Sequence, residues 1–89
     1  MVMKLEESLR KQGYQNTTEP WRDQNRPIYK RMSFWRPLIT VIIDRYVDRD
    51  GAFFIWYRRG RTEYSGRFDA VTSNPVDDDA PKIKKILGR

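Results

Sequence analysis

The sequence predicts an α+β domain: a small antiparallel sheet of three to four strands wound as a meander, with an N-terminal helix and a short C-terminal helix. Three observations carry this expectation. Leucines sit four apart in residues 3–12, and apolar residues sit three and four apart in 80–87. Stretches rich in β-branched and aromatic residues fill 28–71. Glycine-bearing turns, DRDG and RRGR, separate the later stretches so closely that only antiparallel hairpins fit.

Residues 3–12 read as a helix with Leu5 and Leu9 on one side, helped by Met1 or Val2. Glu6, Glu7, Arg10 and Lys11 take the other sides, and Gly13 is placed to end it. So narrow a stripe needs a sheet to lean on. Residues 13–27, with their prolines and amides, form a polar connection. Tyr14 and Trp21 are expected to pin it to the body, Trp21 as a core plug. Residues 28–34 are the first expected strand, with a break at Trp35 to Pro37 because proline cannot donate to a central ladder. Residues 38–48 are the clearest strand, followed by strands over 52–58 and 62–71. Residues 72–81 are a loop. Asp79 is the expected N-cap and Pro81 falls in the first turn of a helix over 80–87 carrying Ile83, Ile86 and Leu87. Asp77, Asp78 and Asp79 at a helix start have a dipole and capping explanation, so no metal site is assigned to them. The 89 residues make one domain, and no cofactor is expected.

The turns set the register. DRDG suits a three-residue loop with a left-handed glycine, pairing Asp48 with Ala52, Val47 with Phe53, Arg45 with Ile55 and Ile43 with Tyr57. A two-residue Arg59–Gly60 loop then pairs Arg58 with Arg61, Ile55 with Tyr64 and Phe53 with Gly66. A three-residue loop there would drive Glu63, Ser65 and Arg67 into the core. One face gathers Ile39, Val41, Ile43, Val47, Phe53, Ile55, Tyr57, Tyr64 and Phe68. The opposite face gathers Leu38, Thr40, Ile42, Asp44, Tyr46, Phe54, Trp56 and Arg58 from the first hairpin and Arg61, Glu63, Ser65 and Arg67 from the second.

Charge is concentrated on the same stretch. Residues 1–20 and 68–89 are each neutral, whereas 21–67 carry eleven basic and five acidic side chains, which is the whole net charge of +6. Ten of those eleven are arginine, whose planar fork pairs with phosphate and stacks on rings. Rings interleaved with guanidinium groups on a sheet suit single-stranded nucleic acid: bases stack and phosphates pair. The candidate nucleic-acid-binding residues are therefore Tyr46, Phe54 and Trp56 for stacking, with Arg45, Arg49, Arg58, Arg59, Arg61 and Arg67 for phosphate. The competing expectation is that a helix or partner subunit covers Phe54 and Trp56.

GAFFIWY, residues 51–57, resembles in part the aromatic RNA-binding strand of the RNA-recognition motif. Gly51, Phe54, Ile55 and Tyr57 match, whereas Asp50, Ala52 and Phe53 do not, and no strand precedes the first helix; the assignment is rejected. The order helix, three strands, helix resembles double-stranded RNA-binding domains, with residues 27–31 similar to their first strand. Their basic pattern at the last helix is replaced here by Asp77, Asp78 and Asp79, so the resemblance covers topology alone and no residue role is carried over.

Composition narrows the chemistry. Without cysteine or histidine, thiolate and imidazole catalysis are excluded, as are the usual nitrogen and sulfur zinc sites. The longest apolar run, Leu38 to Ile43, is far short of a bilayer span, and MVMKLEESLRK lacks a signal-peptide centre, so a cytoplasmic protein is expected. The reading is a small, non-catalytic, basic module for nucleic acid. The alternative is a protein-interaction module, such as a phage or regulatory adaptor or inhibitor, that docks on an acidic protein surface or pairs as a homodimer. A small ribonuclease is the least supported reading; it would use Asp44 and Glu63, which the expected register places on either side of Trp56.

Overall fold

A computed structural model of the chain describes residues 2–32, 37–77 and 79–88. The chain runs α1 (Val2–Lys11), β1 (Gln15–Asn16), β2 (Ile28–Met32), β3 (Leu38–Asp44), β4 (Ala52–Arg59), β5 (Thr62–Asp69) and α2 (Ala80–Leu87). The strands form one antiparallel sheet in the order β1-β2-β3-β4-β5. The α+β meander with a helix at each end is therefore present, with five strands rather than three to four. The extra one, β1, is two exposed polar residues that carry no strand periodicity. It pairs Gln15 with Lys30 and Asn16 with Tyr29. The far part of the first expected strand, residues 33 and 34, and the break at Trp35 lie outside the described residues.

Helix α1 ends in a glycine cap. Gly13 has φ of +96°, its N–H donates to Arg10 O, and Tyr14 N donates to Leu9 O, the paired bonds of a Schellman motif. Tyr14 is thereby turned into the core. Trp21 is not: it is 85% exposed, because the 17–27 loop is held by its own side-chain-to-backbone bonds and needs no aromatic plug. At the other end of the chain, Asp79 holds the N-cap position of α2 but its side chain makes no capping bond; it pairs with Lys82 at 3.3 Å.

Both hairpins are shifted by two residues from the expected register. The DRDG turn forms: Gly51 N bonds Asp48 O at 3.1 Å, Gly51 has φ of +77°, and Asp48 N bonds Ala52 O at 2.8 Å. However, β3 stops at Asp44, opposite Phe54, where 38–48 was expected. Residues 45–47 bulge out, so Val47 lies 52% exposed instead of in the core. Arg45 causes the departure: its N–H bonds Asn25 O and its side chain reaches Glu6. The β4–β5 loop is Gly60–Arg61, pairing Arg59 with Thr62 and Ile55 with Gly66. Gly60, at φ of +59°, stands at the first central position, where hairpin turns of the II′ class carry glycine. Strand β5 ends at Asp69 rather than at residue 71.

A two-residue shift leaves the side chains that remain in the strands on their predicted faces, because strand residues alternate with a period of two; Tyr46 and Val47, beyond β3, are the exceptions. The core accordingly contains Ile39, Val41, Ile43, Phe53, Ile55, Tyr57 and Phe68, joined by Tyr29, Leu9, Ile83 and Leu87. Phe53 stacks on Phe68 at 5.9 Å and Tyr57 on Tyr64 at 6.1 Å. Both helices pack on this face. Gly66 lets α2 approach: a Cβ there would lie 2.7 Å from the backbone nitrogen of Ala80. Gln12 ties the helices together, donating through Nε2 to Leu87 O at 2.9 Å.

Glu6, expected on an outer side of α1, is 2% exposed. Tyr29 OH donates to its Oε1 at 2.6 Å, and Arg45 grips both oxygens, Nη2 to Oε1 at 2.6 Å and Nε to Oε2 at 3.0 Å. Burial pushes this carboxyl upward, but the Arg45 and Tyr29 hydrogen bonds outweigh it and hold it below its ordinary value. No described helix is long and apolar enough to cross a membrane.

Candidate binding face

The helices leave the other side of the sheet bare. Three rows cross it. The central row is Ile28, Ile42, Trp56 and Ser65. On one side lie Lys30, Thr40, Arg58 and Glu63; on the other lie Asp44, Phe54 and Arg67. Met32 and Leu38, an exposed pair, continue the surface towards the Gly60 turn. Phe54 is 40% exposed, and Trp56 is half-buried among its row. A concavity of about 540 Å³ opens on this face, lined by Ile28, Ile42 and Trp56 of the central row together with Lys30, Thr40 and Arg58.

Alternation in β4 produces this division. Phe53, Ile55 and Tyr57 point to the helices, so Phe54, Trp56 and Arg58 point away. Phe54 and Trp56 are two residues apart on one strand, roughly 7 Å, and form two separate flat platforms. Arg58 Nε bonds Gly60 O at 3.1 Å and meets no carboxylate within ion-pair distance among the described residues. Its cross-strand neighbour is Glu63.

The other predicted residues divide sharply. Arg61 sits in the exposed β4–β5 turn and Arg49 in the exposed DRDG turn, at opposite ends of the sheet. Arg67 shares the bare face but is enclosed by carboxylates: Nε to Asp77 Oδ2 at 2.7 Å, Nη1 to Asp48 Oδ2 at 3.0 Å and to Asp50 Oδ2 at 3.2 Å. This hub ties the DRDG turn and the loop before α2 to β5. The same contact gives Asp77 its role, since Asp77 Oδ1 also accepts from Arg67 N at 2.7 Å. Arg67 holds the Asp77 carboxyl below its ordinary range, and the backbone N–H of Ala52, then Arg67, does so for Asp48. Arg45 is engaged by Glu6 and lies off the bare face. Tyr46, expected beside Phe54, sits beyond the end of β3; its ring lies under Arg26 at 5.3 Å and its hydroxyl donates to Asp23 at 2.9 Å. Arg59 points to the helix side. The structure thus brings together Phe54, Trp56 and Arg58, with Arg61 nearby.

Asp44 and Glu63 are not juxtaposed. Asp44 faces Phe54 and pairs with Arg26 at 3.4 Å, while Glu63 faces Arg58 two rows away. Ile42, Thr40 and Leu38 lie on this face as expected, but the sequence reading missed Lys30 and Ile28 as members of it. Alternation with Tyr29 was the signal that could have found them. No family model, curated protein or solved structure matches the chain.

Proposed function

We propose that the protein is a small basic binding module that holds single-stranded nucleic acid on the bare face of its sheet. The observation that supports this reading most strongly is Trp56, a large ring half-open on a face that neither helix covers, with Phe54 beside it and, next along the strand, Arg58, whose guanidinium has no ion pair among the described residues. Stacking of successive bases on Trp56 and Phe54 would supply affinity without sequence preference, and Arg58, Lys30, Arg61 and Arg49 would meet the backbone phosphates. Arg45, Arg67 and Tyr46 are assigned to holding the fold, because their polar groups already have partners.

A protein-binding reading is favoured by one feature: Met32 and Leu38 are exposed side by side, extending the row of Ile28, Ile42 and Trp56 into an aliphatic strip that bases do not require. Fluorescence anisotropy of a labelled oligonucleotide separates the two. Under the nucleic-acid reading, Trp56→Ala weakens binding by about 1–3 kcal/mol, the usual loss for one stacked base. Unchanged affinity in Trp56→Ala, or no binding at low salt, rejects it.

A further inference from the structure

On the opposite side of the sheet, where the two helices end, a second concavity of about 420 Å³ opens to solvent. Arg31 and Arg59 both line it. They belong to one row of the sheet, each paired with Ile39, so their backbones stand roughly 10 Å apart. Tyr14 and Tyr57 line the same concavity with Gln12, and no carboxylate of the described residues does.

The donors here are left over. Arg31 spends Nη1 on Gln12 O at 3.0 Å and lies over the Tyr14 ring at 4.9 Å. Its Nε is shut off from water and has no partner, alone among the buried side-chain polar atoms of the described residues. The Arg59 side chain has no ion pair or hydrogen bond among the described residues. Burial raises the titration of both tyrosines, against the pull of Arg31 and Arg59, so both remain neutral O–H donors. The C-terminal ends of α1 and α2 lie close by, each equivalent to about half a negative charge. Against two full guanidinium charges, that leaves the concavity positive.

We propose that this concavity, formed by Arg31, Arg59, Tyr14 and Tyr57, binds a phosphate monoester. Arg31 Nη2 can donate to one oxygen of a dianion and the fork of Arg59 to two, with the phenol hydroxyls as further donors lining the concavity. A diester, with one charge and two free oxygens, satisfies fewer of these donors. The site is separate from the bare face and does not depend on what that face binds.

The test is NMR titration of the arginine Nε–H signals of the full chain with methyl phosphate, using dimethyl phosphate as the diester control. The expected result is a saturable shift of the Arg31 and Arg59 signals, at least about tenfold weaker with dimethyl phosphate and about tenfold weaker in Arg59→Gln, the loss of one charge-assisted fork. Binding should also fade as the pH falls below the second phosphate pKa of about 6. Trp56→Ala should leave it unchanged. Arg59 is exposed, so Arg59→Gln should remain folded even if Arg31→Gln does not. No saturable shift with methyl phosphate, equal affinity for the diester, or full binding by Arg59→Gln would overturn the proposal.

Discussion

On the helix-covered face of the sheet Phe53 is 1% exposed and stacked on Phe68; on the bare face Phe54, the next residue, is 40% exposed. The two differ in nothing but strand parity. Their arginines differ in the same instructive way. Arg67 and Arg45 are locked to carboxylates and staple loops or a helix to the sheet, while Arg58 and Arg59 meet no carboxylate among the described residues. Residue type therefore says little about role in this chain; what a side chain already touches says more.

The largest effect should come from breaking the symmetry of the two phenylalanines. Phe53→Ala removes a core ring and is expected to cost about 3–5 kcal/mol, whereas Phe54→Ala should cost about 1 kcal/mol or less. Urea denaturation of the two variants checks the contrast, and equal losses would mean that the bare face is packed in solution.

Next in size is Arg45→Ala, which leaves the Glu6 carboxylate buried with Tyr29 as its remaining partner. A loss of about 3 kcal/mol is expected. The effect depends on pH. Because Glu6 is held below its ordinary 4.5, its contribution is complete above that pH and fades as pH falls through the lower folded value. The stability gap between Arg45→Ala and the parent chain should therefore narrow as the pH is lowered, because protonation removes the buried charge that Arg45 compensates, and pH-dependent urea denaturation checks this. Gly66→Ala should cost about 1–3 kcal/mol by pushing α2 off β5, read by the same denaturation.

Much of this was legible in the sequence. Helix α2 matches its expected bounds, both hairpin turns use the glycines that mark them, and the face assignment of β4 and β5 follows from alternation. The register did not follow, because the three-residue bulge at 45–47 is set by Arg45 reaching across the fold to Glu6. Glu6 itself sits three residues before Leu9, inside the apolar stripe, and that spacing was the available clue. Trp21 misled because ring size argues for burial, while the 17–27 loop satisfies its backbone locally and leaves the ring outside. The division of the arginines could not be read at all, since pairing partners such as Asp77 and Arg67 come together only in the fold.

The smallest effect sharpens the arginine comparison. Arg58→Gln should lower the slope of log affinity against log salt for an oligonucleotide by up to about one unit, the release of one counterion. Arg67→Gln should lower stability through its lost carboxylate partners and leave that slope nearly unchanged. Equal slopes for the two variants would contradict the division between free and engaged guanidinium groups.

If the bare face of the sheet is the surface that binds, Trp56 reports on it directly. The chain has three tryptophans, so the protein to measure is Trp21→Phe with Trp35→Phe, in which Trp56 alone fluoresces. A titration with a short single-stranded oligonucleotide should quench that signal saturably, and more strongly than a polyanion without bases. Saturable oligonucleotide binding with unchanged Trp56 emission, or no binding at low salt, would contradict the account.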